Sequence, residues 1–260
     1  MKERVLSGLI LAPLLIIVFL GGWPLLIGCI LLSIFGLKEF YNGFSKLGIK
    51  PNYMLGYISI PLLYMITFFK DQANLNMLWL FAMTICSLIY LFNITDRKLE
   101  DAMATILGIV YVVFFLFHVI LIENIPNFAP MIWLVLLIAF GTDTMAYFSG
   151  YLFGKHKLCP NISPKKTVEG AIGGIIGSVL FCGIFGYFLF HDYLIHCLVL
   201  GFLGSMIAQL GDLTASIFKR KMGIKDYGNL IPGHGGILDR FDSVLFTGPF
   251  VYYYITIFII

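Results

Sequence analysis

The stretch Ala102–Ile122, AMATILGIVYVVFFLFHVILI, runs its whole length without an Asp, Glu, Lys or Arg. At 1.5 Å of rise per residue, an α-helix of about 20 such residues crosses the ~30 Å hydrocarbon core of a bilayer. Apolar stretches of similar size recur on both sides of it, at 5–22, 23–37, 53–69, 75–94, 130–153, 170–190, 193–214 and 243–260. The chain is 60% hydrophobic and 12% charged, a balance that excludes an ordinary water-soluble domain. The reading is an all-α polytopic membrane protein with about nine transmembrane helices. The first stretch follows Met1-Lys2-Glu3-Arg4 and has no small-residue cleavage site before the next apolar run, so it is expected to be a retained anchor and not a secretion signal.

Charge gives the expected orientation. With a cytoplasmic N-terminus, nine spans place residues 38–52, 95–101, 154–169 and 215–242 inside, and every Lys and Arg except Lys70 then falls on the inner side. The positive-inside bias favours that assignment. The expectation is a multi-pass protein of the cell membrane, inner or plasma, with a cytoplasmic working face. Cys29, Cys86, Cys159, Cys182 and Cys197 are scattered and form no CxxC pair, which reads as apolar filling and not as a disulfide framework or zinc site.

The chain divides by character. Residues 1–125, about five spans, are plain, with polar residues mostly at helix ends. Residues 126–260 carry Asp143, Ser149, Ser178, Ser205, Gln209 and Asp212 within apolar stretches, and their loops 154–169 and 215–242 are rich in Gly, Pro, Lys and His. This half is expected to be the catalytic region. Gly170, Gly173, Gly174 and Gly177 have GxxxG spacing, which strips a helix face for close packing and implies no chemistry.

Ser205, Gln209, Asp212, Ser216 and Lys219 follow at helical steps and form one polar stripe. A carboxylate inside a span costs at least ~2.5 kcal/mol on insertion scales, so Asp212 faces a wet cavity or a cationic neighbour. Asp226, Asp239 and Asp242 follow in the next loop, with Lys219, Arg220, Lys221 and Lys225 interleaved. Hard divalent cations in phosphate chemistry take one or two carboxylates plus substrate oxygens, and the basic side chains complement phosphoryl groups. Pro232-Gly233-His234-Gly235-Gly236 lets backbone N–H groups approach an anion. A basic cluster next to a membrane is often only an anchor for anionic headgroups, but that does not explain the interleaved Asp. The combination points to a metal-assisted phosphate site.

A second element, Ser163-Pro164-Lys165-Lys166-Thr167-Val168-Glu169-Gly170, offers hydroxyls, two lysines and the N–H groups of a helix start as a nucleotide or phosphate cradle. Glu169 is placed to favour the helix dipole. Asp143 is either a polar bundle residue or part of the site. His118, His191 and His196 read as structural or interfacial.

The residues Ser216-x-Phe218-Lys219-Arg220, Lys225-Asp226-x-Gly228 and Ile231-Pro232-x-His234-Gly235-Gly236-Ile237-x-Asp239-Arg240-Phe241-Asp242 resemble the defining motif of the phosphatidate cytidylyltransferases, also called CDP-diacylglycerol synthases. Asp143…Ala146-Tyr147-Phe148…Gly150, Phe153-Gly154-Lys155-His156-Lys157 and SPKKTVEGAIGG resemble the same family. The resemblance covers roughly the second half of the chain. It implies a homodimeric helical membrane enzyme that transfers the cytidylyl group of CTP to phosphatidic acid, giving CDP-diacylglycerol and pyrophosphate, with no nucleic-acid partner. It also implies a cation centre at Asp212 and Asp239 that needs Mg²⁺ and includes K⁺ as a possible second cation.

On that reading Asp226 or Asp242 supports the centre, Lys219, Arg220 and Lys225 neutralise phosphates, and Arg240 completes the motif. Ser163, Lys165, Lys166 and Thr167 hold the nucleotide, and His234 orients a phosphate or a water. Two positions depart from the family pattern: Ala215 stands where Glu is common, and Tyr151 where Arg is common. Two rivals stay open on the residues alone: a CTP-dependent enzyme acting on another lipid, such as an isoprenoid alcohol or ether lipid, and a transporter in which Asp143 and Asp212 bind ions or protons.

Overall fold

The computed structural model describes residues 15–229 and 235–260. His234 and most of the first expected span lie outside the described residues. Among the described residues helices form along the apolar stretches: α1 Gly22–Ser45, α2 Tyr53–Met65, α3 Gln72–Ile89, α4 Leu99–Gly108, α5 Phe115–Glu123, α6 Ile132–Phe153, α7 Val168–Leu189, α8 Leu194–Lys221 and α9 Leu238–Phe258. A π-helical segment, Ile109–Phe114, makes α4 and α5 continuous. The only sheet among the described residues is a hairpin of β1 Lys157–Cys159 and β2 Ser163–Thr167.

Among the described residues six helical segments are long and apolar enough to cross a membrane: Gly22–Ser45, Gln72–Phe92, Leu99–Glu123, Ala129–Phe153, Val168–Leu189 and His191–Lys221. The expected span at 53–69 is a shorter apolar helix, Tyr53–Phe68. The stretch expected at 243–260 lies in α9, which starts at Leu238 and includes Asp239, Arg240 and Asp242. Many apolar side chains on these helices are exposed, among them Met77, Leu78, Phe81, Ile85, Leu88 and Ile89 on α3 and Ile176, Leu180, Ile184 and Phe188 on α7. Apolar faces of this extent suit a lipid surround.

The chain forms two compact units. The first contains the described residues up to Asn124 together with Lys221–Arg240; the second contains Ile125–Arg220 and Phe241–Ile260. In the first, the stretch around Ala102–Ile122 is the core, with Ile109, Val113, Phe117 and Ile122 fully or almost fully buried. A helix apolar on all sides has no face to give to solvent and takes the centre of its bundle. His118 is buried there, and its Nδ1–H donates to the Phe114 carbonyl at 2.8 Å. Polar ties register the helices: Ser33 and Tyr64 share a 3.1 Å hydroxyl contact, and Trp79 donates to the Ser59 carbonyl at 3.0 Å. Asp101, only 2% exposed, accepts from the Lys50 and Lys98 amides at 2.6 and 2.9 Å, which joins the start of α4 to the α1–α2 connection.

The second expected span ends at residue 37, but α1 continues to Ser45. Lys38 and Glu39 are therefore helical, and their helix begins after Gly21, whose φ of 60° breaks the chain direction.

In the second unit α6 and α7 pack with almost no gap. The Cβ positions of Gly170, Gly173, Gly174 and Gly177 all run into α6, at the Ala146 carbonyl, Ser149, Thr142 and Met145 respectively. The glycine stripe is a packing face, as its spacing predicts. Farther along, Gly201 lies against Val179 of α7, and Gly211 of α8 lies against the Asp242 carbonyl of α9. Cys182 and Cys197 are buried free thiols, as is Cys29 in the first unit.

Two loop readings change. The segment 154–169 folds largely as the hairpin, with Lys157 opposite Thr167 and Cys159 opposite Ser163. SPKKT is thus a strand leading into α7, with its last residue, Thr167, at the helix N-cap. The loop read as 215–242 is shortened at both ends, because α8 runs on to Lys221 and α9 begins at Leu238.

Candidate active site

A cavity of about 560 Å³ opens in the second unit, and its lining draws on three structural elements and the hairpin. From α6 come Asp143, Tyr147, Gly150 and Tyr151, from the hairpin Lys157, Ser163, Lys165, Lys166 and Thr167, from α7 Gly170, and from α8 Gln209 and Asp212. The four residues of the expected nucleotide cradle therefore share one wall system with Asp212. Asp143, which the sequence left open, belongs to the cavity as well.

Local chemistry explains how each side chain arrives there. Thr167 is the N-cap of α7 and accepts from the Gly170 amide at 3.1 Å, satisfying an amide that the first helical turn leaves free. Glu169 does more than favour the helix dipole: it accepts from His156 Nδ1–H at 2.6 Å and from the Lys155 and His156 amides at 3.1 and 3.2 Å. That clasp fixes the start of the hairpin to the start of α7. Gly150 and Gly154 leave room for the Thr167 side chain, where a Cβ would press on it at under 3.0 Å. Gln209 donates to the Ala171 carbonyl at 3.2 Å and holds α8 against α7 beside the cavity.

The electrostatic centre of the cavity is a direct ion pair between Lys166 and Asp212. Asp212 thus has the cationic neighbour that its sequence position demanded, and the cation comes from the cradle. Asp242, 7% exposed, lies where the charges of Asp212 and Asp143 act on it and Lys219 offsets them. Ser243 ties the same region together, its hydroxyl donating to Asp143 at 3.3 Å. Arg220 donates to the Ile162 carbonyl at 3.4 Å in the turn of the hairpin, so its guanidinium helps hold the cradle. Ala215 is fully buried, and Tyr151 is a cavity-lining residue whose ring stacks with Tyr147 at 6.4 Å between centroids.

Lys225, Asp226, Asp239 and Arg240 lie in the first unit. Asp239 accepts from the Tyr227 and Gly236 amides at 2.8 and 3.0 Å, at the N-terminus of α9 where the helix dipole favours a negative charge. Gly235, with φ of 84°, fits between Asp226 and Asp239, each within 3.5 Å of where its Cβ would stand. Lys225 precedes Asp226 in this segment, and Arg240 follows Asp239 in α9. Asp212 and Asp239, the expected cation pair, belong to different units. Among the described residues no three or more Asp, Glu, His or Cys side chains gather at metal-ligand spacing.

One residue in this segment escapes sequence reading. Glu39 of α1 accepts from the Ile237 and Leu238 amides at 3.0 and 2.9 Å, capping α9 from almost two hundred residues away. Its signal was a carboxylate two residues beyond the apolar stretch 23–37, which reads as a surface position only if the helix is ended at residue 37.

The cavity joins a basic, hydroxyl-rich strand to two carboxylates carried on long apolar helices. A profile described as the Cytidylyltransferase family matches residues 2–258. The chain belongs to the cytidylyltransferase family. It is 37% identical to the phosphatidate cytidylyltransferase of Staphylococcus saprophyticus, with 96% of each chain covered. It is 38% identical to that of Staphylococcus epidermidis, again with 96% of each chain covered. The phosphatidate cytidylyltransferase of Bacillus subtilis is 35% identical, with 99% of this chain and 98% of the relative covered. For a cytidylyltransferase, the match also reaches well beyond the motif-bearing second half and takes in α1 and Glu39.

Proposed function

We infer that this cytidylyltransferase transfers the cytidylyl group of CTP to phosphatidic acid, giving CDP-diacylglycerol and pyrophosphate. The observation that carries the reading is the cavity in which Ser163, Lys165, Lys166 and Thr167 stand beside Asp143 and Asp212. The names and the near full-length similarity of the relatives supply the substrate pair. A phosphate oxygen of phosphatidic acid attacks the α-phosphorus of CTP, a new P–O bond forms, and the bond to the β-phosphate oxygen breaks as pyrophosphate leaves. Phosphoryl transfer of this kind depends on positioning and charge neutralisation more than on a strong base.

In this scheme Lys165 and Lys166 neutralise triphosphate oxygens, and the hydroxyls of Ser163 and Thr167 accept and donate around them. Lys219 lies beside Asp242 and serves the lipid phosphate, with Arg220 supporting the hairpin turn and Lys225 contributing positive charge. Asp226, Asp239, Arg240 and His234 are assigned to the same reaction by the family motif. Asp143 and Asp212 present hard carboxylate oxygens to one cavity, a donor set that suits Mg²⁺, which takes one or two carboxylates and fills its remaining positions with water and substrate phosphate. Bound there, Mg²⁺ would neutralise charge on the phosphates. K⁺ as a second cation, Asp239 as a second ligand and a homodimeric state rest on the family resemblance.

The working face is assigned to the cytoplasmic side of the cell membrane because, with nine spans, every Lys and Arg except Lys70 falls on one side. Purified protein in detergent, supplied with CTP, Mg²⁺ and phosphatidic acid, should release pyrophosphate in step with CDP-diacylglycerol. Release that needs the lipid and disappears in Asp212→Asn supports the assignment; release without phosphatidic acid, or none from folded protein, overturns it.

A further inference from the structure

We propose that Glu39 is a positioning residue of the reaction, holding the segment that carries Asp226 and Asp239 in register on α1. The proposal rests on the functional reading above and assigns a role to a residue outside every motif.

Gly36, Glu39, Phe40 and Gly43 recur at helical steps of three and four and make one stripe on α1. Each meets the Lys221–Arg240 segment. Gly36 lies against Leu238, Phe40 tilts against Tyr227 at 6.1 Å between centroids, and Gly43 lies against Met222 and Ile224. Glu39 stands at the middle of the stripe, 8% exposed, and gives one carboxylate oxygen to each of two consecutive amides, those of Ile237 and Leu238. The segment closes around it so tightly that a Cβ on either Gly228 or Gly236 would overlap the carboxylate.

The next carboxylate along, Asp239, takes the amides of Tyr227 and Gly236. Between them the two acids accept from the amides of Tyr227, Gly236, Ile237 and Leu238. Glu39 anchors the segment from outside, and Asp239 folds it on itself. With Glu39 removed, the Ile237 and Leu238 amides lose their acceptor, and nothing else described on α1 replaces it. Asp226 and Asp239 would then lose their fixed orientation while the α1–α5 core stays intact. A carboxylate is required and a carboxamide is a poor substitute, because its NH₂ would face one of the two N–H donors.

The test compares wild type, Glu39→Gln, Glu39→Ala and Gly236→Ala in detergent, reading thermal unfolding, the kcat and KM of pyrophosphate release, and trypsin cleavage after Lys225. Positioning predicts that Glu39→Gln keeps its melting temperature within about 3 °C, and that kcat falls about 30-fold while KM for phosphatidic acid changes by no more than about twofold. Cleavage after Lys225 should accelerate. Gly236→Ala should reproduce this pattern, so the test survives if Glu39→Ala fails to fold. Wild-type kcat and wild-type trypsin resistance in a folded Glu39→Gln would overturn the proposal, and so would a loss of activity that only follows the fraction unfolded. If the wild type itself fails to use CTP and phosphatidic acid, the functional reading fails separately. Trypsin resistance then decides the role of Glu39, with unchanged cleavage counting against it.

Discussion

Lys166 of β2 is ion-paired with Asp212 of α8, so the two elements that the sequence marked independently for phosphate chemistry meet at one point in the cavity. Each partner restrains the other. Breaking the pair leaves a carboxylate in a span without its cation, and the cost of such a group depends on whether water reaches it.

Asp212→Asn should therefore lower kcat by at least about 10³-fold, whereas Lys166→Ala should lower it by about 10²-fold and raise KM for CTP as well. Steady-state pyrophosphate release at varied CTP separates the two. Equal effects of both variants on kcat alone would argue against distinct roles for the pair.

Chelation offers a second check on the carboxylate cavity. EDTA should stop pyrophosphate release, added Mg²⁺ should restore it, and K⁺ alone should not, because only a hard divalent cation compensates the triphosphate charge beside Asp143 and Asp212. Activity that persists in EDTA would remove the cation from the reaction.

Tyr151 lines the cavity where Arg is common in the family. Tyr151→Arg should lower KM for CTP by about threefold and leave kcat unchanged, since a guanidinium adds a phosphate contact that is uniform between ground and transition states. A raised KM would mean that the Tyr147–Tyr151 ring stack itself serves the substrate.

Packing variants should act on stability without touching chemistry. Asp101→Ala removes the carboxylate that accepts from the Lys50 and Lys98 amides and should cost about 1–3 kcal/mol. Gly173→Ala forces a methyl group into Ser149 and should cost a similar ~1–3 kcal/mol through overpacking. Thermal unfolding in detergent measures both, and a melting temperature equal to wild type in either case would contradict the described packing.

The helical membrane class was legible in the apolar stretches, because a span of about 20 residues is demanded by bilayer thickness and needs no tertiary information. The polar stripe through Gln209 and Asp212 and the packing face of Gly170 to Gly177 were legible for the same reason: helical periodicity alone puts such residues on one face. Ser163, Lys165, Lys166 and Thr167 were singled out by residue type, but the strand that carries them to the cavity wall was not legible, since a short hairpin is set by pairing across the chain and by the Glu169–His156 clasp. Tertiary structure decided which carboxylate meets which cation, whether Asp143 belongs to the cavity, and that Glu39 serves a segment nearly two hundred residues away. Local sequence fixes periodicity and hydropathy over one or two turns of helix. The satisfaction of buried amides and charges is settled only when distant elements pack, because each such group needs a partner that its own helix cannot supply.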